Sequence, residues 1–144
     1  MQKLKTRLNR DTYFMSLAEL TSERGTCPRL RVGCILVSQK KIIATGYNSS
    51  HRGTPHCEDI GCLVEGKHCQ RTLHAEISAV LNLERSYQNI IAYITHSPCT
   101  HCYKVLAAAG VTTIYYKHFY GADSTAYTQL IKEINLTMKE IKYV

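Results

Sequence analysis

The chain has 144 residues, enough for one domain (1–144) with its own core, and no repeat, linker or low-complexity stretch divides it. Its 18 Lys and Arg against 11 Asp and Glu give a net charge of +7, which suits an anionic ligand without naming one; the basic residues are scattered, so a nucleic-acid-binding arm is not expected. No apolar run approaches the roughly 18 residues of a membrane span, and Met1-Gln2-Lys3-Leu4-Lys5 leads into polar sequence, unlike a signal peptide, so a soluble cytoplasmic protein is expected.

In chain order, Asp11 to Arg24 shows helix spacing through Tyr13, Phe14, Leu17, Ala18 and Leu20, and Gly25 ends it. Val32 to Val37 and Ile42 to Tyr47 read as two strands around a short turn at Gln39-Lys40, a hairpin. Residues 48 to 73 have no periodicity and predict a long loop, of the kind that in compact domains is usually functional or held by something. Helix spacing returns from His74 to Arg85, with Ala75, Ala79, Val80 and Leu83 as the apolar stripe and His74 in the first turn. Ile90 to Thr95 is a strand. Cys99 to Ala109 is a helix opened by Ser97-Pro98 as cap and first-turn proline and stopped by Gly110. Val111 to Tyr116 is a strand, Ser124 to Ile134 a helix and Leu136 to Ile141 a last strand. Helices between the later strands imply parallel pairing and helices on both faces of the sheet, with one antiparallel pair from the hairpin.

Chemistry concentrates at two of these helix starts. His74-Ala75-Glu76 and Pro98-Cys99-Thr100-His101-Cys102 supply His74, Cys99 and Cys102 as metal ligands, the two cysteines at i and i+3 sharing one helix face. Three ligands leave a fourth position open for water, whereas a structural zinc is normally closed by four. Glu76, two residues past the histidine, stands near the metal without competing for it and can carry a proton. Helix N-termini favour the anionic thiolates such a site needs. H-x-E with P-C-x-x-C is the signature of zinc nucleobase deaminases. Either half alone has a plainer reading, a redox dithiol or an ordinary helix start. A non-catalytic zinc module binding DNA or a protein would not need Glu76, and a deaminase of a base in single-stranded nucleic acid or tRNA is the other enzyme reading. His101 points off the cysteine face and is read as a surface residue.

Of the seven cysteines, five remain, and a reducing compartment assigns them to metal or core before disulfides. Cys34 lies in an apolar strand and reads as core. Cys27, Cys57, Cys62 and Cys69 lie in or beside irregular segments and would close a second, structural zinc that pins the loop against the His74 helix, with His56 or His68 able to replace one cysteine.

The chain resembles deoxycytidylate (dCMP) deaminases of bacteria and bacteriophages, members of the zinc-dependent cytidine deaminase superfamily. The resemblance is carried by Asn9-Arg10-Asp11, Tyr13-Phe14-Met15, Cys27, Arg31-Val32-Gly33, Ile42 to Asn48, His68-Cys69, Arg71-Thr72, His74-Ala75-Glu76, Pro98-Cys99-x-x-Cys102 and Ala109-Gly110-Val111. It implies a three-layer α/β/α fold with a five-stranded mixed sheet. The implied reaction takes dCMP and water to dUMP and ammonia, upstream of dTMP synthesis. It further implies two zinc ions, a homo-oligomer that is often a hexamer, and dCTP and dTTP as effectors, the latter with Mg²⁺. Asn48, Ala75 and Tyr120 would contact the substrate, and the location would be cytoplasmic, in a bacterium or in the host of a phage. Ser49, His51 and Ser78 depart from the family's common Gly, Pro and Asn. Arg29, Arg31, Arg52 and Arg71 are the candidate phosphate contacts.

Overall fold

The side-chain oxygen of Asn9 accepts the Thr12 N–H at 2.9 Å and caps the first helix, α1 (Arg10–Ser22). In this computed structural model, which describes residues 5–121 and 124–142, the remaining elements follow as β1 (Gly33–Ser38), β2 (Lys41–Tyr47), β3 (Ser49–Ser50), α2 (Cys57–Ile60), β4 (Val64–Glu65), β5 (His68–Cys69), β6 (Thr72–Leu73), α3 (Ala75–Leu81), β7 (Ile90–His96), α4 (Thr100–Ala108), β8 (Val111–His118), α5 (Thr125–Ile134) and β9 (Thr137–Glu140). The residues Met1 to Leu4, used above to judge a signal peptide, lie outside the described set. Among the described residues no helix is long and apolar enough to cross a membrane.

The main sheet has five strands in the order β2-β1-β7-β8-β9. β1 is antiparallel to both β2 and β7, whereas β7, β8 and β9 pair in parallel, so the sheet is mixed as expected. Gln39 and Lys40 form the two-residue turn, both with positive φ (49° and 66°), the mirror-image geometry whose twist matches a hairpin.

Strand alternation makes the layers. Cys34 and Leu36 of β1 bury themselves with Ala75 and Ala79 of α3, Tyr103 and Leu106 of α4 and Tyr127 of α5, while Ile35 and Val37 face Phe14, Met15 and Ala18 of α1. Each fully buried aliphatic side chain contributes about 1.5–3 kcal/mol, so this two-sided core is what holds the helices to the sheet. Two glycines set the closest approaches. A Cβ on Gly33 would lie 2.0 Å from the Ala18 carbonyl oxygen, and one on Gly46 would lie 2.3 Å from that of Ala75 and 2.4 Å from the Ala79 nitrogen. Gly46 thus lets the start of α3 sit directly on β2.

Several boundaries differ from the sequence reading. The 48–73 segment is not an unbroken loop: β3 pairs with β6, β4 with β5, and α2 lies between, pieces too short for periodicity to reveal. The helix expected from His74 to Arg85 ends at Leu81, where Asn82 caps it and donates its side-chain N–H to the Thr45 carbonyl at 2.9 Å. His74 and Cys99 are N-caps, not first-turn residues, and Ser97-Pro98 precedes the α4 cap instead of forming it. The last strand is shorter than Leu136 to Ile141.

Candidate active site

The N-caps of α3 and α4 meet at one end of the sheet. His74 Nδ1 lies 3.3 Å from Cys102 Sγ and 3.7 Å from Cys99 Sγ, and the three ligand atoms fall within 4.8 Å of one another. His74 is exposed, Cys99 half-buried and Cys102 buried, so the cluster is open on the histidine side. That side gives onto a cavity of about 360 Å³. Glu76, only 4% exposed, lines the same cavity.

Electrostatics suit a cation here. The hydrogen bond from the Cys102 thiol, with others from His74 and from the Cys102 backbone, outweighs burial and brings the Cys99 thiol down to about 3. Cys102 moves the other way, raised by donating to Cys99 and by burial. His74 is raised by its hydrogen bond to Cys99 against the opposing effect of burial. These donors share protons that a divalent cation would displace. Burial also raises Glu76 above the ordinary carboxylic range, with the His74 charge and hydrogen bonds pulling back.

The Cys57, Cys62 and Cys69 ligand atoms form the second group within 4.8 Å of one another, Cys57 and Cys69 with sulfurs 3.6 Å apart. Cys27 is buried and stands outside that group. Burial works to raise Cys69, but N–H donors from the Arg71, Leu63 and Thr72 backbone and the Cys57 thiol bring it down to about 6. Cys57 is pushed up to about 12 by burial and by donating to Cys69 and Cys62. His56 Nδ1 is buried with no hydrogen-bond partner, whereas His68 lies on the cavity wall. Cys34 is fully buried in the core, and His101 is exposed.

Asn48, Ala75 and Tyr120 all line the cavity. Asn48 has a structural duty too: its Oδ1 accepts the Val32 N–H at 2.8 Å and its Nδ2 donates to the Leu30 carbonyl at 2.7 Å, which holds the segment before β1 against the site. Among the four arginines only Arg29 reaches the cavity wall; Arg31 pairs with Glu23 at 3.7 Å, Arg52 is exposed elsewhere, and Arg71 has its Nε buried without a partner.

Sequence reasoning missed Lys67, which joins Arg29 on the wall, and Ser97, read only as a helix cap. The Ser97 hydroxyl accepts the Tyr120 N–H at 2.7 Å and donates to the Tyr120 carbonyl at 3.2 Å, fixing the backbone of Tyr120 at the cavity mouth. Tyr127 of α5 was missed as well: its hydroxyl donates to the Pro98 carbonyl at 2.9 Å, one residue before Cys99. No local pattern announces such contacts, because each partner lies at least 23 residues away.

Residues 8–118 match the cytidine and deoxycytidylate deaminase zinc-binding region. The chain belongs to this family. The dCMP deaminase of cyanophage S-TIM5, in complex with dCMP and dUMP, superposes with a TM-score of 0.79 at 28% identity, covering 95% of this chain and 100% of that one. ComE operon protein 2 of Bacillus subtilis is 38% identical over 139 residues, 94% of this chain and 73% of the relative. The deoxycytidylate deaminase of Saccharomyces cerevisiae is 31% identical over 141 residues, but this chain spans only 45% of its length. The His74, Cys99 and Cys102 donor set, two thiols and an imidazole, fits the zinc that this family's description names.

Proposed function

We propose that this chain is a zinc-dependent dCMP deaminase, converting dCMP and water to dUMP and ammonia and so supplying dUMP for dTMP synthesis. The observation that carries this reading is the buried Glu76 carboxyl beside a three-ligand metal cluster, in a cavity whose wall also presents Asn48, Tyr120 and the cations Arg29 and Lys67. A carboxyl raised by burial is suited to hold a proton for part of a reaction cycle at neutral pH.

His74, Cys99 and Cys102 hold the zinc, which when bound lowers the pKa of a water to about 7 and supplies a nucleophile. Glu76 takes a proton from the attacking water and passes it to N3 of the cytosine, which makes C4 electrophilic. The water oxygen bonds to C4, Glu76 takes the remaining proton from that new hydroxyl and delivers it to the amino group, and the C4–N bond breaks to release ammonia and leave the C4 carbonyl of dUMP. One carboxylate therefore acts as base and then acid. Asn48 and Ala75 orient the nucleotide and Tyr120 covers it, while Arg29 and Lys67 attract its phosphate.

Cys57, Cys62 and Cys69 hold a second, structural zinc. Cys27 completes it, or His56, whose buried Nδ1 has no partner. The thiolate character that backbone N–H groups give Cys69 supports this reading.

An ammonia-release assay on dCMP, deoxycytidine, dCTP and a cytosine-containing oligonucleotide tests the substrate. dCMP should be preferred, and preference for the oligonucleotide would overturn the reading in favour of a nucleic-acid deaminase. The same assay with added dCTP, or dTTP with Mg²⁺, tests effector control, and sedimentation tests the homo-oligomer.

A further inference from the structure

His96 is the last residue of β7, in register with His118 at the end of the parallel strand β8, and their rings lie 5.0 Å apart. Along β7 the side chains alternate: Tyr93 packs with the α1 side and Ile94 with the α3 and α4 side. Thr95 therefore returns to the α1 side and His96 falls on the side of the active site, where it lines the cavity beside Ser97, Cys99 and Tyr120. The zinc cluster, as described, makes no use of it.

The hydrogen bonds around Thr95 fix how this imidazole is protonated. Thr95 is only 4% exposed, and its Oγ1 accepts the Gly33 N–H at 3.2 Å. The same oxygen lies 3.0 Å from His96 Nδ1. A buried hydroxyl proton needs an acceptor, and among the described residues Nδ1 of His96 is the acceptor within reach. Nδ1 is then the accepting nitrogen, which leaves the ring proton of a neutral imidazole on Nε2. Burial first, and the adjacent His118 second, keep His96 below the ordinary imidazole pKa, in keeping with a neutral ring.

We propose that Thr95 holds His96 in the Nε2–H tautomer and that His96 uses this N–H to bind an oxygen of the nucleotide in the cavity. The proposal rests on the dCMP reading above and names a further substrate-binding residue for it, with Thr95 as its positioning residue. At this edge of the cavity the Ser97 hydroxyl is committed to the Tyr120 backbone and Cys99 to the metal cluster, so His96 is the nitrogen donor that the β7 end presents.

Nitrogen-15 NMR of the zinc-loaded protein reads the tautomer directly, and should place the His96 proton on Nε2; a proton on Nδ1 overturns the proposal. In steady-state kinetics with dCMP, His96→Leu should raise KM about five- to tenfold, the worth of one neutral hydrogen bond, and leave kcat and zinc content near wild type. His96→Gln, which keeps an N–H donor, should recover most of that loss. Thr95→Val should raise KM as well, and the double variant His96→Leu with Thr95→Val should be no worse than His96→Leu alone, since both remove one interaction. An unchanged KM in His96→Leu, or a fall in kcat with loss of zinc, overturns the proposal. A wild-type protein without dCMP turnover sinks the deaminase reading and this ligand with it, whereas an active wild type beside an unchanged His96→Leu KM sinks the inference alone.

Discussion

The His74, Cys99 and Cys102 cluster and the Cys57, Cys62 and Cys69 cluster bring similar atoms equally close, but they stand on different supports. The first is mounted on the N-caps of α3 and α4, two helices whose inner faces are locked into the sheet core. The second hangs on a four-residue helix and a two-residue strand, each with little core of its own. Residues mounted on packed elements keep their geometry before any ligand arrives, whereas a loop-borne site gains much of its order from the metal. The difference suits the first to catalysis, where an open position must be aimed, and the second to holding residues 48–73 against the cavity. Cys27 and Cys69 line that cavity too, so the loop and the chemistry share a wall.

The largest effect should come from Glu76, the proton carrier of the proposed mechanism beside the first cluster. Glu76→Gln removes the proton carrier and keeps the side chain's shape, so turnover of dCMP should fall by about 10²–10⁴-fold while zinc content stays at the wild-type level. Ammonia release with metal analysis on the same sample checks both halves. Near-normal turnover would mean that the two clusters differ only in support and not in chemistry.

Removing a ligand from the second cluster should act on stability instead. Metal analysis should find about two zinc per chain in the wild type and about one in Cys57→Ser. A metal held at a thousand times its dissociation constant stabilises by about 4 kcal/mol, so the variant should melt about 8–16 °C lower. Its remaining zinc should still support turnover. One zinc per chain in both proteins would show that the second cluster is three free thiols and that its loop is ordered some other way.

The contrast also explains what could be read in advance. The five-stranded mixed sheet and the hairpin turn at Gln39-Lys40 were legible because each rests on short-range patterns, alternation and helix spacing, whereas the grouping of His74 and Glu76 with Cys99 and Cys102, 25 residues on, was legible through the H-x-E and P-C-x-x-C signature. The loop's small strands were not, since two-residue pairs such as Ser49 with Leu73 carry no period and are set by partners far along the chain. Cys27 illustrates the same limit within the site. Composition could count four cysteines as one set, but only tertiary geometry separates Cys27 from the three that meet. Gly46 stood in a legible strand, yet its reason lay across the interface, in the α3 backbone it lets approach.

That approach is the next support to test. Gly46→Ala places a methyl against backbone atoms of Ala75 and Ala79, which cannot rotate away, so α3 must lift from β2. Overpacking of this kind costs about 1–3 kcal/mol. Because the displaced element begins at His74, turnover should fall by more than the change in melting temperature suggests, while the zinc of the loop cluster is unaffected. Equal zinc loss from both sites would mean that the loop depends on the packed elements after all.

The smallest effect probes the support of the first cluster from the α5 side. Tyr127 is buried and donates to the Pro98 carbonyl at 2.9 Å, so α5 reaches across the layer to hold the turn that delivers Cys99. Tyr127→Phe keeps the ring packed against Tyr103 and deletes only the hydroxyl, leaving that carbonyl without its donor. The expected cost is about 1 kcal/mol, a fall in melting temperature of about 2–4 °C. A chelator should then strip the catalytic zinc faster than in the wild type and leave the loop zinc's release rate unchanged. This asymmetry follows from where the hydrogen bond lands: it steadies a cap that presents a metal ligand and touches nothing on the cysteine loop. If both zinc ions leave faster by the same factor, Tyr127 stabilises the domain as a whole and the first cluster owes α5 nothing in particular.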